Sequence, residues 1–434
     1  MQANMIKKQI ENINDLQDVK LENVQFIRTG ASEETLSFYA LDDKGIIYYT
    51  DNGVLTNEEK ASFNKTLSER FQWQTYYLGM GHYIKMRAKY YKCFMEKVEQ
   101  SEHPYRESKG IMLDLMQNDY KELNDRTKTN IVKGVILGHA VADALGVPVE
   151  FMKREALDET PVEDMGVHPT IDLPRGSWSD DTSMSLCALI SLAKGKIDFE
   201  EIMQNFGKWY YAGEFTPTGY TFDIGLICMD AIKRYYMGIE PIKCGGKEEY
   251  DNGNGSLMRI NPFALYLYYK DISIEKKIEI IHKASALTHA HKRSKIGCGI
   301  YSFVLWGILD NPSKQGVING LVNAIKFYKD EPELNHYIRC FDGIEKLKRE
   351  EIKSSGYIVD TLEAALWCLL TTETYSECVR LAVNLGEDTD TVGAVVGGLA
   401  GALYGYSEIP FSWLNTLAKK EEIEKLCEKF AKIL

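Results

Sequence analysis

Hydrophobic patterning changes character near "NDRTKTN", residues 124–130. Before this point the pattern is mixed. "TLSFYALDDKGIIYYT" holds two β-rich runs around Asp42-Asp43-Lys44-Gly45 and predicts a hairpin. "TNEEKASFNKTLSERF" predicts a helix capped at Thr56 or Asn57. "YYLGMGHYIKMRAKYYKCFMEKVE" predicts a long helix rich in Tyr and Lys. Beyond Asn130 apolar residues recur at the helical period, alternation is rare, and loops are short or glycine-rich. The expected architecture is mostly α: a small α+β unit over residues 1–126, then an all-α unit over residues 127–434, larger than the usual domain.

Two helical segments carry bare stripes. Gly393, Gly397, Gly401 and Gly405 recur every four residues, and so do Gly134, Gly138, Ala142 and Gly146 in "KGVILGHAVADALGVPVEF". The latter ends at Pro148, with Glu150 just beyond. A spacing of four is one face of a helix, where missing side chains let another backbone approach. Each glycine costs up to about 1 kcal/mol against alanine, so close packing must offset the loss. The expectation is two central helices packed against each other in one core.

Close packing accounts for the glycines but not for the acids beside them. Ser179-Asp180-Asp181-Thr182 and Asp388-Thr389-Asp390-Thr391 each open an apolar helical run. Helix capping needs one such residue, not two carboxylates. Pooled, the clusters offer hard oxygen ligands and no Cys or His, a set for Mg²⁺, Mn²⁺ or Ca²⁺. Four carboxylates suit two ions about 3.5–4 Å apart better than one. In "YDNGNGSLMRINPF" the backbone of Gly253-Asn254-Gly255-Ser256 is a candidate phosphate cradle, weak by itself because Asn-Gly repeats are ordinary turns. "ALTHAHKRSKIGCG" puts His289 and His291 inside a helical pattern, where a histidine is usually only packed.

Composition narrows the classes. The net charge of −12 argues against a nucleic-acid-binding protein and suits an enzyme whose acids are relieved locally by metal ions. Lys85, Arg87, Lys89 and Lys92 among Tyr83, Tyr90 and Tyr91 could stack on RNA, but a solvated face is the commoner meaning of such a pattern. The nine cysteines are scattered without a CxxC pair, which fits reduced, buried thiols. No segment reaches the roughly 18 consecutive apolar residues of a membrane span, the run after Asp390 coming closest, and no signal core opens the chain. A cytoplasmic protein is expected.

Together the five segments resemble the ADP-ribosylglycohydrolase family, of the type that includes dinitrogenase-reductase-activating glycohydrolase. The likeness spans residues 130–410 in the family's order, and the pairing of "SDDT" with "DTDT" is its specific part. The resemblance implies a compact all-α enzyme with two Mg²⁺ or Mn²⁺ ions that cleaves ADP-ribose from a protein or small acceptor, arginine being the first expectation. Serine, O-acetyl-ADP-ribose and nucleic-acid bases are alternative acceptors. It implies that Ser179, Asp180, Asp181, Asp388, Asp390 and Thr391 hold the metals, that Glu150 is the acid beside them, and that the diphosphate lies on Gly253 to Ser256 and near His289. Asp181 and Glu150 are the candidates for acid/base work. Ala142 and Ser179 stand where many relatives carry Gly and Thr, and neither change removes a function. Residues 1–126 lie outside the likeness and are expected to choose the acceptor or partner. The rival expectation is a binding or immunity protein that meets an ADP-ribosyltransferase toxin, with the first segment blocking it.

Overall fold

The computed structural model describes residues 126–434 and, before them, six β-strands. The chain forms two compact units, Met1–Asp125 and Arg126–Leu434. In the first unit β1 (Lys7–Gln9), β2 (Leu21–Arg28), β3 (Leu36–Asp42), β4 (Ile47–Thr50), β5 (Trp73–Gly79) and β6 (His82–Arg87) build one sheet in the order β1-β4-β3-β2-β6-β5. β1 pairs with β4 in parallel, and the other pairings are antiparallel. β3 and β4 form the expected hairpin, with Phe38 opposite Thr50.

The Tyr-Lys stretch is not a helix where it is described. β5 and β6 form a second hairpin, with Tyr77 opposite Tyr83 and only Met80-Gly81 between Gly79 and His82. Aromatic and β-branched residues such as Tyr76, Tyr77, Tyr83 and Ile84 favour a pleated surface. The Lys and Met residues between them mimic a helical composition. Residues 88–99 and the helix expected from Thr56 lie outside the described residues.

Helices dominate the second unit, and no named strand occurs among its described residues. Six helices position the site: α1 (Lys128–Gly146), α2 (Asp180–Leu192), α3 (Leu226–Tyr236), α4 (Lys292–Asp310), α5 (Ile358–Thr371) and α6 (Thr389–Tyr404). α1 and α6 form the antiparallel central pair that the stripes predict. A Cβ at Gly401 would collide with the Gly134 carbonyl, and one at Gly397 with the Gly138 carbonyl. The Ala142 carbonyl faces Gly393, and the Ala142 methyl packs over Gly397. Gly405 departs from the stripe. It ends α6 with φ 97° and open space around it, so it serves backbone conformation rather than packing. Lys128–Val149 is long and apolar enough to cross a membrane, but most of it is buried within the unit, as a core helix is.

Candidate metal and substrate site

The registration of α1 with α6 sets the site. At the C-terminal end of α1 a Cβ on Gly146 would stand 2.5 Å from the Asp390 Cα, and Thr389 Oγ1 donates to the Gly146 carbonyl at 2.9 Å. This pins the start of α6 against the segment that leads to Glu150. Two further backbone bonds join the segments: Phe151 N–H to Glu387 O at 2.7 Å and Glu387 N–H to Met152 O at 2.8 Å. Both Phe151 (φ 63°) and Glu387 (φ 60°) are left-handed, a conformation that costs a bulky side chain of order 1–3 kcal/mol and concentrates at functional sites.

The start of α2 is brought to the same place by Asp143, a fully buried acid on α1. Its Oδ1 accepts from Ser179 N (2.9 Å) and Ser179 Oγ (3.0 Å), and its Oδ2 from Thr182 N (3.0 Å) and Thr182 Oγ1 (2.6 Å). One carboxylate thus satisfies free donors at the helix start, where a negative charge is favoured. Ser179 is itself the cap, accepting the Asp181 N–H at 3.4 Å.

The acids left over from capping converge. Asp181 Oδ2 accepts from Thr391 Oγ1 (3.2 Å) and lies 3.1 Å from Ser179 Oγ, whose single proton it shares with Asp143, while its Oδ1 is buried without a hydrogen-bond partner. Single oxygens of Glu150, Asp388 and Asp390 lie within 4.8 Å of one another. Asp388 stands at the cap position of α6 but makes no cap bond, and its Oδ2 accepts from Asn254 Nδ2 at 2.7 Å. The Gly225 N–H, just ahead of α3, faces the Asp180 carboxylate and favours its charged form. Asp223, two residues earlier, adds another acid.

Burial, then the crowding of carboxylates, pushes the pKa of Glu150 up to about 8, with Asp223 and Asp388 the largest raising charges, and holds Asp180, Asp181 and Asp390 well above the usual range. Asp223 is also raised, by burial and by Asp388. Burial raises Asp143 to about 6 despite the hydrogen bonds of Thr182 and Ser179. A cluster of oxygens that repel one another, one of them an orphaned buried carboxylate oxygen, is a donor set that suits a hard divalent cation.

The glycine loop belongs to the same site. Asn254 bridges Thr361 Oγ1 of α5 (3.0 Å) and Asp388, and its N–H donates to Gly356 O at 3.0 Å. Gly253 pairs with Tyr357 as an isolated bridge. Beneath the loop lies His289, whose Cε1 is 2.9 Å from where a Cβ would stand at Gly255. Burial, then Arg259, pushes its pKa down to about 3, so the ring is neutral. His289 and His291 are not inside a helix. They precede α4, and His291 caps it through Nδ1. Ser256 Oγ is fully buried, accepts from Ser285 Oγ at 3.1 Å and lies 3.4 Å from Cys298 Sγ, so its hydroxyl is committed to the interior.

Asp143 and Asp223 join the site without having been predicted. Asp143 carried a signal, a lone acid inside the apolar "AVADALG" of a glycine-striped helix. Asp223 lies in "FTPTGYTFDIG", a loop whose path no local pattern specifies.

The ADP-ribosylglycohydrolase family model matches residues 124–434. The ADP-ribosylarginine hydrolase Tri1 of Serratia proteamaculans is 34% identical over 298 residues, 68% of this chain and 78% of the relative. The ADP-ribosyl-[dinitrogen reductase] glycohydrolase of Rhodospirillum rubrum is 32% identical, covering 67% of this chain and 91% of its own. A solved structure described as an ADP-ribosylglycohydrolase-related protein complex superposes with TM-score 0.60 at 31% identity, over 71% of this chain and 99% of that one.

Proposed function

Because the chain belongs to the ADP-ribosylglycohydrolase family, whose members are hydrolases, we propose that it removes ADP-ribose from arginine side chains of a protein, with two Mg²⁺ or Mn²⁺ ions at the acid cluster. The observation that carries the reading is the convergence of Asp180, Asp181, Asp388, Asp390 and Glu150 from three separate segments into one charge-crowded cluster. Arginine as acceptor is supported by the relatives named as ADP-ribosylarginine hydrolases.

Ser179, Asp180, Asp181, Asp388, Asp390 and Thr391 would hold the ions. When bound, divalent cations supply Lewis acidity toward the ribose hydroxyls and lower the pKa of a water. The chain's own groups do the rest. The anomeric carbon–nitrogen bond breaks through an oxocarbenium-like state, which the surrounding carboxylates stabilise. Water adds to that carbon, its proton passes to a carboxylate, and the departing guanidine takes one up. Glu150 and Asp181 are the groups for these transfers. The Gly253–Gly255 backbone and His289 receive the diphosphate, and Asp223 adds a further carboxylate beside Asp180 and Glu150. The first unit, which contributes none of these residues, selects the acceptor.

The test is a panel of ADP-ribosylated proteins linked through arginine, serine or cysteine, together with O-acetyl-ADP-ribose. Release of free ADP-ribose is scored with Mg²⁺ and with chelator. Metal-dependent release from the arginine substrate is expected. Release from another linkage alone would reassign the acceptor, and release undiminished by chelator would remove the metal role.

A further inference from the structure

Arg259 is fully buried, and none of the ion pairs among the described residues involves it. Its guanidinium lies over the Phe206 ring at 5.0 Å, and its Nε and Nη1 have no hydrogen-bond partner. Only Nη2 is used, donating to Thr288 Oγ1 at 2.7 Å and to Ala284 O at 3.1 Å. Thr288 Oγ1 in turn lies 2.9 Å from His289 Nδ1. A buried charge with no counter-ion is costly unless something compensates it.

The direction of these bonds follows from the donors. Arginine can only donate, so Thr288 Oγ1 accepts from it. The Cys228 thiol is directed to the Gly255 carbonyl at 4.0 Å and keeps its proton, because burial pushes its pKa up to about 12. The imidazole Nδ1 is then the one good acceptor left for the Thr288 hydroxyl proton. A neutral ring that accepts at Nδ1 carries its hydrogen at Nε2. His289 Nε2 lies 3.4 Å from where a Cβ would stand at Gly253 and 3.5 Å from one at Gly255, so the absent side chains leave this N–H next to bare backbone.

We propose that Arg259 and Thr288 are positioning residues that hold His289 as a neutral Nε2–H donor for an anionic oxygen of the substrate diphosphate. The inference rests on the ADP-ribosyl reading of the site. The buried charge polarises the donor through Thr288, and the bound anion supplies the negative charge that the protein withholds from Arg259.

Two measurements on the full chain in Mg²⁺ test it: histidine ¹⁵N spectra, and calorimetry with ADP-ribose and with adenosine, which lacks the diphosphate. In wild type and Thr288→Ser, His289 should show protonation at Nε2, and ADP-ribose affinity should agree within about twofold. Thr288→Val should shift the ring toward a tautomer mixture and weaken ADP-ribose about tenfold, the scale of one hydrogen bond, with adenosine affinity unchanged. An Nδ1–H tautomer in wild type overturns the relay, as does a Thr288→Val protein that keeps its ADP-ribose affinity. Equal losses for both ligands, unrescued by serine, reduce Thr288 to a packing residue and also overturn it. A wild type that binds no ADP-ribose overturns instead the reading of the site on which the ligand assignment rests.

Discussion

Thr391 Oγ1 donates a 3.2 Å hydrogen bond to Asp181 Oδ2 across 210 positions of chain, so the first turns of α6 and α2 share one carboxylate. That bond places Asp390 among charges it would otherwise avoid. Asp390→Asn keeps the side-chain size and removes one charge. In chelator this variant should melt above wild type, because a repelling charge is gone. In Mg²⁺ it should lose most activity and show a smaller metal-dependent rise in Tm, since ligand binding stabilises only as far as the site is intact. Thermal melts with EDTA and with Mg²⁺ decide the matter. A fully active variant with the wild-type metal response would reduce Asp390 to a helix-start acid.

The stripes give a second expectation. Gly401→Ala puts a methyl into the Gly134 carbonyl, and the only relief is to part α1 from α6. Overpacking of this kind costs typically about 1–3 kcal/mol and sometimes more. Because the same pair fixes Gly146 against Asp390, the metal-dependent gain in Tm should fall as well. Gly405→Ala meets nothing within 4 Å and strains only the local backbone, at φ 97°. Its cost should be of order 1–3 kcal/mol, with the metal response intact. A Gly405→Ala protein that also lost its metal response would return Gly405 to the packed stripe.

These cases show what was legible in the sequence. Gly134, Gly138, Gly397 and Gly401 declare a helix contact because spacing four is local information. The acid clusters at Asp180 and Asp388 were legible because capping needs fewer carboxylates than they hold. Which donors Asp143 would clamp was not, since Ser179 and Thr182 reach it only through the tertiary fold. Asp223 comes from a loop with no periodicity to read. Around Tyr76 to Arg87 the lysines and methionines suit a helix as well as the tyrosines suit a strand, and strand pairing decided between them.

Arg154 supports the segment after Glu150. Its Nε donates to Leu385 O (2.8 Å), Nη1 to Arg349 O (2.7 Å) and Nη2 to Ile352 O (2.6 Å). A planar fork spreads its donors over three nitrogens to reach three separated carbonyls, whereas the three donors of an ammonium radiate from one nitrogen and cannot span the same positions. Arg154→Lys should therefore loosen the Glu150 segment relative to Asp388, lowering kcat about tenfold or more while Tm changes by only a few degrees. Circular dichroism melts alongside steady-state kinetics test this. A large loss of stability with kcat unchanged would make Arg154 a structural brace with no bearing on the site.

The pH dependence of stability should invert with metal. Asp143 is raised to about 6 and Glu150 to about 8, and Asp180, Asp181, Asp223 and Asp390 are raised as well, in each case first by burial. A carboxyl whose folded pKa exceeds its unfolded value binds more protons when folded, so its contribution is present at low pH and is lost as pH rises through the folded value. The metal-free protein should therefore gain stability as pH falls from about 8 toward about 6. The buried histidines act in the opposite sense. Burial lowers His139 and His282 to about 4 and His289 to about 3, so their contribution is present above the unfolded value of about 6.5 and is lost as pH falls through the folded one. In chelator the Tm maximum should thus lie on the acid side of neutrality. Bound Mg²⁺ requires the carboxylates charged, so its stabilisation should weaken on acidification and the maximum should move to higher pH. Tm measured from pH 4 to pH 9, in EDTA and in saturating Mg²⁺, would show two displaced profiles. Superimposable profiles would mean that these carboxylates do not meet a metal in the folded protein.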